Sequence, residues 1–485
     1  MKYSLVSRWV VLLVIAAFFL PGTAVAFDTG PHSDLTRAAL LEYKFSGDSI
    51  RVAQVENWLT DYYTSAPTIA KANREELEKL HFDNLFNTAQ VAGYWGRFID
   101  NLRLETQKAA GKDDPLQMLV IMGIAFHAVQ DFYTHSNWVE THPRAADGPY
   151  RTDTFLNSGF TGPGLVTGKY PADRRSGPGP DPVPRDSLIH GKYAGAGLNK
   201  DSQVRPHWDE AYIFAYAASC ELVPLMEKWA EGARPGFWKR VREYRAGNDD
   251  AGKLDFDFAA HRNISMWIDL KGEDGHWKGN KSGSKAFKTF SANWIRSSNS
   301  VFVTRAREGS IQRGLASNLY TNLPAPSAPV VPRSGLKRRA VIVRTVQIKE
   351  TTMRDNLRSR INTINAPDYF SQTTVGGVQY RERTIQKSRE TADPWFVIHI
   401  MDQSETSIPI KIEIWEEDPL QDEQMDASPL TGKNGIDFLL RPSDNLLSGD
   451  VTGIFSSSQN VFRLQGESKR HVVQIAAFVT NFPLL

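Results

Sequence analysis

The residues best suited to chemistry lie in the string AFHAVQDFYTHSNW, where His127, Asp131 and His135 follow one another at intervals of four. At 3.6 residues per turn, positions i, i+4 and i+8 fall on one face of a helix, so these side chains form a polar stripe on an otherwise apolar segment. Burying two imidazoles and a carboxylate together is costly unless something neutralises and hydrogen-bonds them, and a divalent cation does so directly. Imidazole nitrogen with carboxylate oxygen suits zinc. The bland alternative is a mutually hydrogen-bonded polar face. Other histidines also stand in polar company: His32 in FDTGPHSDL, His81 in LHFDNL, His190 in LIHGKY and His207 in PHWDEA. Histidines scattered over a helix bundle can converge in its core, but their spacing does not say whether they do. His142, His261, His276, His399 and His471 lack a comparable pattern and read as structural.

The elements that must position these residues are helices. Apolar residues recur at helical spacing over 35–43, 50–63, 69–80, 89–104, 116–139 and 208–229, which predicts a helix bundle. The stretch 143–200 interrupts it with GFTGPGLVTG and RRSGPGPDPVP, too rich in Gly and Pro for regular structure. It reads as a long excursion over the bundle surface, beside the metal-bearing helix. At 322–335 the string NLPAPSAPVVPRSG predicts a semi-rigid linker. Beyond it the period changes to two, as in Ile408, Ile410, Ile412 and Ile414 alternating with Lys411 and Glu413. Segments 341–348, 395–401 and 472–479 read similarly, and Gly376-Gly377 suits a two-residue hairpin turn. These features predict a β-sandwich of about eight strands. The expected fold class is therefore a mainly α helical bundle over 27–321, followed by an all-β sandwich over 336–485.

At the amino terminus, Lys2 and Arg8 precede an apolar run over 9–20, a Pro-Gly break and Ala24-Val25-Ala26. This is the pattern of a secretory signal peptide over 1–26, with an apolar run too short for a bilayer core of ~30 Å. Export to the periplasm or the exterior is expected, with the mature chain beginning at Phe27. Removing Lys2 and Arg8 takes the 57 Lys and Arg to 55, equal to the 55 Asp and Glu, so the mature chain is formally neutral. No bulk charge or basic stripe points to a nucleic-acid partner. The single Cys220 can form no internal disulfide and sits in an apolar helical pattern, as a core residue would.

The order and context of the histidines resemble the zinc-dependent phospholipase C and single-strand nuclease superfamily. More narrowly, HxxxDFYxHSNW with the later GxGLNKDS and PHWDEA resembles the HET-C family, named for fungal heterokaryon incompatibility. The similarity covers about 27–219, and its most specific part is the His-Asp-His-Ser-Asn-Trp string. It implies a phospholipase C-like bundle whose cleft holds zinc, two or three ions, one of them bound by the amino group and carbonyl of the mature first residue, here Phe27. It further implies His32 and Asp131 beside Phe27, with Asp131 bridging to a second zinc on His81 and His127, and His135 and His207 on a third. A carboxylate from the second helix is also implied, for which Asp61 is the candidate; Asp131 and Asp61 are the expected catalytic carboxylates. Two departures stand out. The superfamily's Glu four residues after the last His is here Ala211, leaving Asp209 or Glu210 as substitutes, and the His127 to His135 spacing is tighter than in the bacterial phospholipases.

The carboxy-terminal string APDYFSQTTVGGVQYRERTIQ…ADPWF…IPIKIEIWEEDPLQDEQMD resembles a C2 domain, the calcium-dependent lipid-binding sandwich, over about 341–426. Calcium takes six to eight oxygen ligands. The resemblance implies that Glu416, Asp418 and Asp422, with Asp355 or Asp368 from a neighbouring loop, supply several of them. The alternative is a solvated acidic loop on a plain interaction sandwich.

Together these readings direct the protein to phospholipid membranes, in one of two ways. The first reading, slightly preferred, is a secreted HET-C-like cytotoxic protein in which zinc holds the fold and damage comes from membrane insertion or homo-oligomerisation. Its insertion loop would be the Gly-rich segment bearing Phe160, Leu165, Val166 and Tyr170, feeble in one copy and effective only in several. The alternative is a zinc-dependent phospholipase C-type phosphodiesterase cutting lipid headgroups, so enzymatic activity is left open. A nuclease ranks third, because the neutral chain offers no backbone-binding surface.

Overall fold

A computed structural model of the chain describes residues 29–65, 78–143, 151–158, 164–169, 198–200, 207–248, 250–255, 257, 305–320, 337–350, 369–382, 390–401, 404–417, 422–454, 461–467 and 471–483. The expected linker at 322–335, the signal segment, His190, His261 and His276 lie outside them.

The helical body is built from α1 (Thr29–Glu42), α2 (Gly47–Ser65), a 3-10 turn (Glu78–His81), α3 (Thr88–Gly111), α4 (Pro115–His135), α5 (Trp138–Thr141), α6 (Phe155–Ser158), α7 (Trp208–Ala233), α8 (Phe237–Arg242) and α9 (Arg305–Ala316). Helix α4 is its axis. Asp114 caps it by accepting from the Gln117 N–H, and Pro115 occupies the first turn, where its missing N–H costs nothing. From Gln117 to His135 every residue is buried. Among the described residues α4 alone is long and apolar enough to cross a membrane, yet 94% of its apolar window is buried as a core helix. Helix α2 approaches α4 at Gly123, where a Cβ would lie 2.4 Å from the Ala53 carbonyl oxygen and 2.7 Å from Glu56 Cβ. Only glycine allows that crossing. It brings the α2 side chain Asn57 to His127, one turn beyond Gly123 on the same face of α4.

The expected helix over 116–139 is divided. Ser136 adopts an extended backbone (φ −99°, ψ 168°) because residues 164–168 insert beside it. There the Thr167 N–H donates to the Leu85 carbonyl (2.7 Å), the Gly168 N–H to the His135 carbonyl (2.9 Å) and the Asn137 N–H to the Val166 carbonyl (3.1 Å). This overturns two expectations. The described parts of 143–200 do not run over the surface, since Phe155, Leu156 and Leu165 belong to the core. Leu165 and Val166, read as membrane-inserting, are 0% and 8% exposed and face the protein interior; Phe160 and Tyr170 lie outside the described residues.

The carboxy-terminal part is an antiparallel sandwich. Its long strands are β1 (Lys337–Glu350), β2 (Tyr369–Val375), β4 (Glu390–Met401), β5 (Ile408–Glu416), β7 (Ile436–Arg441) and β11 (His471–Pro483). Short ones are β3 (Val378–Arg381), β6 (Glu423–Gln424), β8 (Leu446–Gly449), β9 (Gly453–Ile454) and β10 (Phe462–Gln465). One sheet has the order β10-β11-β1-β4, the other β3-β2-β5-β7-β8-β9 with β6 paired to β5. The described residues thus hold more strands than the eight expected, because strands of two to four residues are too short to show a period. Gly376 and Gly377, at φ 56° and 82°, close the β2–β3 hairpin between Val375 and Val378, as the two-residue turn demands.

The four-stranded sheet is covered on both faces. Val341, Val343, Val397, Ile475 and Ala477 face the second sheet, while Ala340, Ile342, Phe396, Ile398, Ala476 and Phe478 join the core of the helices. These strands, expected to be half-buried, are thus buried on both faces, which is why apolar residues occupy both sides of their alternation.

Candidate metal centre

Three elements deliver the expected ligands. His32 comes from α1, and His127, Asp131 and His135 from α4. His81 ends the 3-10 turn and is aimed inward by a left-handed backbone at Phe82 (φ 55°). A bulky residue adopts that conformation only when its surroundings over-determine it. Here the Phe82 ring is held among Tyr94, Trp95 and Phe132, with centroids 4.1, 4.7 and 5.2 Å away.

Asp131 is the hub, fully buried. Its Oδ1 lies 3.1 Å from His32 Nε2, and its Oδ2 lies 2.7 Å from His81 Nδ1 and 3.1 Å from His127 Nε2. His127 Nε2 and His81 Nδ1 are 3.1 Å apart, and the His32 and His127 rings stack at 4.4 Å. His32, His127 and Asp131 form a buried group whose ligand atoms all lie within 4.8 Å of one another.

The proton positions in this cluster can be deduced from its edge. Ser219 Oγ donates to the Ala215 carbonyl (2.8 Å), so toward Gln130 it can only accept, which points the Gln130 NH2 at it (3.1 Å). Gln130 Oε1 therefore faces the other way and accepts from His32 Nδ1 (2.6 Å) and from the Asn57 NH2 (3.1 Å). With its NH2 so committed, Asn57 presents Oδ1 to His127 Nδ1 at 3.2 Å, and that nitrogen must donate. Both imidazoles thus spend Nδ1–H on amides, and Nε2 of each is left facing Asp131. Burial pushes the His127 imidazole down to about 3, outweighing the facing carboxylate, so the ring is neutral in ordinary conditions. Burial alone would raise the Asp131 carboxyl, but the His127 and His135 rings override it and hold it well below the usual range. His81 Nδ1 lies within hydrogen-bond distance of both Asp131 Oδ2 and His127 Nε2, so the carboxylate is shared among three imidazoles.

The arrangement matches how metal-binding imidazoles are oriented, with the second ring N–H fixed by an oxygen acceptor. Tetrahedral zinc ligands at about 2.1 Å from the ion lie roughly 3.4 Å apart, so the observed separations of 2.7 to 3.1 Å need to open by roughly 0.3 to 0.7 Å. The residues fit zinc.

The remaining expected residues are placed as follows. His135 is buried at the end of α4, its Nδ1 donating to the His81 carbonyl (3.1 Å), with Asp83 Oδ1 at 3.5 Å. His207 stands outside the Asp131 cluster, with a left-handed backbone before α7, and its half-exposed ring bonds Glu210 Oε1 at 3.3 Å. That bond, more than the opposing burial, raises the His207 imidazole. Glu210 is thus engaged by His207, while Asp209 turns away to Arg344 of β1 (3.3 Å). Asp61 lies on α2 one turn beyond Asn57, on the same face, but its side chain falls outside the described residues, as does Phe27. The side chain α2 demonstrably brings to the centre is Asn57. Spacing gave no hint of Asn57, Gln130, Ser219 or Asp83, since single amides, hydroxyls and carboxylates carry no periodic signal.

The expected calcium ligands are less gathered. Glu416 ends β5, half-buried and opposite Glu423, and Asp422 is exposed. Asp355, Asp368 and Asp418 lie outside the described residues. Cys220 is buried as a core residue, and His399 packs over the hairpin at Gly376 and bonds the Tyr380 hydroxyl at 2.8 Å.

No protein-family model matches the chain, and no curated protein matches it in sequence. Among solved structures, alpha toxin from Clostridium absonum aligns at 10% identity over 87% of this chain and 100% of its own, with a TM-score of 0.19. A C2 domain of plant extended synaptotagmin 1 aligns at 9% identity over 30% of this chain and 95% of its own, with a TM-score of 0.18. Human GIVD cytosolic phospholipase A2 aligns at 12% identity over 30% of this chain, with a TM-score of 0.19, and the chain spans only 16% of that protein's length. At these scores the likenesses carry no argument about function; the HET-C resemblance has no counterpart among them.

Proposed function

We propose that the helical body is a zinc-dependent phosphodiesterase centre of the phospholipase C type, directed at phospholipid headgroups. The observation that carries the metal is the pair of Nε2 atoms, on His32 and His127, converging on the two oxygens of one buried carboxylate. His32 would serve one ion, His81 and His127 a second, with Asp131 shared, and His135 is available for a further one. Bound zinc supplies a water whose pKa falls toward ~7 and an electrophile for phosphoryl oxygens. The protein's own part is orientation: Gln130 and Asn57 hold the Nδ1 side of the two rings, which keeps both Nε2 atoms aimed at Asp131.

The competing reading, cytotoxicity by insertion, loses support because Leu165 and Val166 are core residues. Lipid as the target rests on the sequence resemblances of both parts of the chain. The test is elemental analysis of the purified protein with headgroup release measured from phospholipid vesicles alongside leakage of a trapped dye. Bound zinc and headgroup release, both lost in Asp131→Ala, are expected. Dye leakage without headgroup release would overturn the enzyme, and absence of metal would overturn the centre.

A further inference from the structure

We propose that Lys200 is a positioning residue that anchors the carboxy-terminal end of α4, and through it His135, by an ammonium buried among carbonyl oxygens. The inference rests on the metal reading above.

A helix ends with carbonyls that have no partner inside it, and these must be satisfied from elsewhere when the end is buried. At the end of α4 three of them, and the carbonyl of the capping Ser136, have a donor of their own. The Phe132 carbonyl accepts from the Ser136 N–H (3.0 Å), and the Thr134 carbonyl from the Lys200 N–H (3.1 Å). The His135 carbonyl accepts from the Gly168 N–H (2.9 Å), and the Ser136 carbonyl from Lys200 Nζ (3.0 Å). Lys200 therefore holds two of these positions, one with its backbone and one with its side chain.

The side chain is built in. Lys200 is 1% exposed, and its ammonium, which has three N–H donors, spends them on the Ser136 carbonyl, the Leu198 carbonyl at 3.1 Å and Glu140 Oε1 at 2.9 Å. A lysine is almost never buried so completely without a specific partner set. The partners here are local to one point, the junction of α4 and α5 immediately after His135. A cation at a helix carboxy terminus also complements the helix dipole. Among the described residues, His135 is thus held from its far side by residues 164–168 and Lys200. The ligand ring itself is tied on the near side to the His81 carbonyl. Without Lys200 the Ser136 carbonyl loses its only described donor, and the last turn of α4 is free to fray, taking His135 off the line toward His81 and Asp131.

The test compares wild type with Lys200→Ala by cobalt(II) titration, using visible absorption, and by amide hydrogen exchange over residues 132–138. Lys200→Ala should weaken cobalt binding about tenfold, the scale of a lost outer-shell partner, and alter the absorption of the bound ion. It should also speed exchange in that peptide. Propylammonium, which can refill the vacated site with its cation, should restore both readouts; n-butanol, of similar shape but neutral, should restore neither. A merely structural lysine would lower stability without changing the cobalt spectrum or responding selectively to the cation. Should Lys200→Ala fail to fold, Lys200→Met keeps the buried stem and removes only the charge, with the same readouts. Wild-type cobalt affinity and spectrum in the variant would overturn the proposal. If wild type itself binds no cobalt, the metal reading fails alone, and unchanged exchange over 132–138 would then overturn the anchoring role.

Discussion

At the scale of single residues, the proposed centre is defined less by its candidate ligands than by the amides that orient them. Periodicity exposes His127, Asp131 and His135, because a helical stripe of polar residues is visible along one segment. It cannot expose Asn57 or Gln130, whose meaning depends on which helix lies opposite. His32 and His81 were legible only as histidines in polar company, and their arrival at Asp131 is a tertiary fact. The neutral His127 makes a prediction about pH. Its folded value of about 3 lies below the ordinary 6.5, so the unfolded chain takes up the proton first. The contribution is therefore whole above pH 6.5 and is lost as pH falls from there toward 3, at up to about 1.4 kcal/mol per pH unit for one group. Chelated wild type and His127→Asn should be compared in urea unfolding across that range. A shallower decline is expected in the variant, and parallel declines would show that His127 is not the titrating group. Asn57→Leu should free the His127 tautomer and weaken metal affinity by roughly tenfold to a hundredfold, read by competition with a chromogenic chelator.

At the scale of elements, the decisive contact is the crossing of α2 and α4 at Gly123. Adding a methyl there meets the Ala53 carbonyl and Glu56 Cβ with no flexible atom to yield. Gly123→Ala should cost about 1–3 kcal/mol of stability, as overpacking does, and should push Asn57 away from His127. The urea midpoint tests the first effect and metal affinity the second; a stable variant with unchanged affinity would mean that α2 does not set the ring position. Most helices were legible because their apolar faces repeat at 3.6 residues, and the β2–β3 hairpin because two glycines take the positive φ its turn requires. The break at Ser136 was not legible. It is imposed by residues 164–168, which are distant in sequence and whose Gly-rich composition suggested exposure rather than a threaded, buried segment. Composition reports backbone freedom, and freedom is also what a chain needs to enter a tight space.

At the scale of the whole molecule, the stretch at 322–335 reads as a semi-rigid linker, and the sandwich that follows it shares a core with the helices. Phe396 of β4 packs against Tyr212 and Trp208 of α7, with centroids 4.9 and 6.0 Å away. Arg344 stacks over Phe396 at 5.7 Å and pairs with Asp209 at 3.3 Å, and Arg37 of α1 donates to the Arg381 carbonyl at 3.0 Å. Helix α1 bears His32, so the sheet braces a ligand-bearing helix from behind. The two halves should then unfold together. In the full chain, wild type is expected to show one transition by far-ultraviolet circular dichroism and by tryptophan fluorescence. Phe396→Ala, emptying a buried aromatic position, should lower it by about 3 kcal/mol in both signals. Arg344→Met should cost less, about 1 kcal/mol, since the ion pair it breaks is partly exposed. If Phe396→Ala instead separates the transitions and leaves the helical one in place, the sandwich is a tethered neighbour, and occupation of its loops could not bear on His32. If the transition moves as one, a displacement of the sandwich reaches the proposed centre through α1 and α7, which it contacts directly among the described residues.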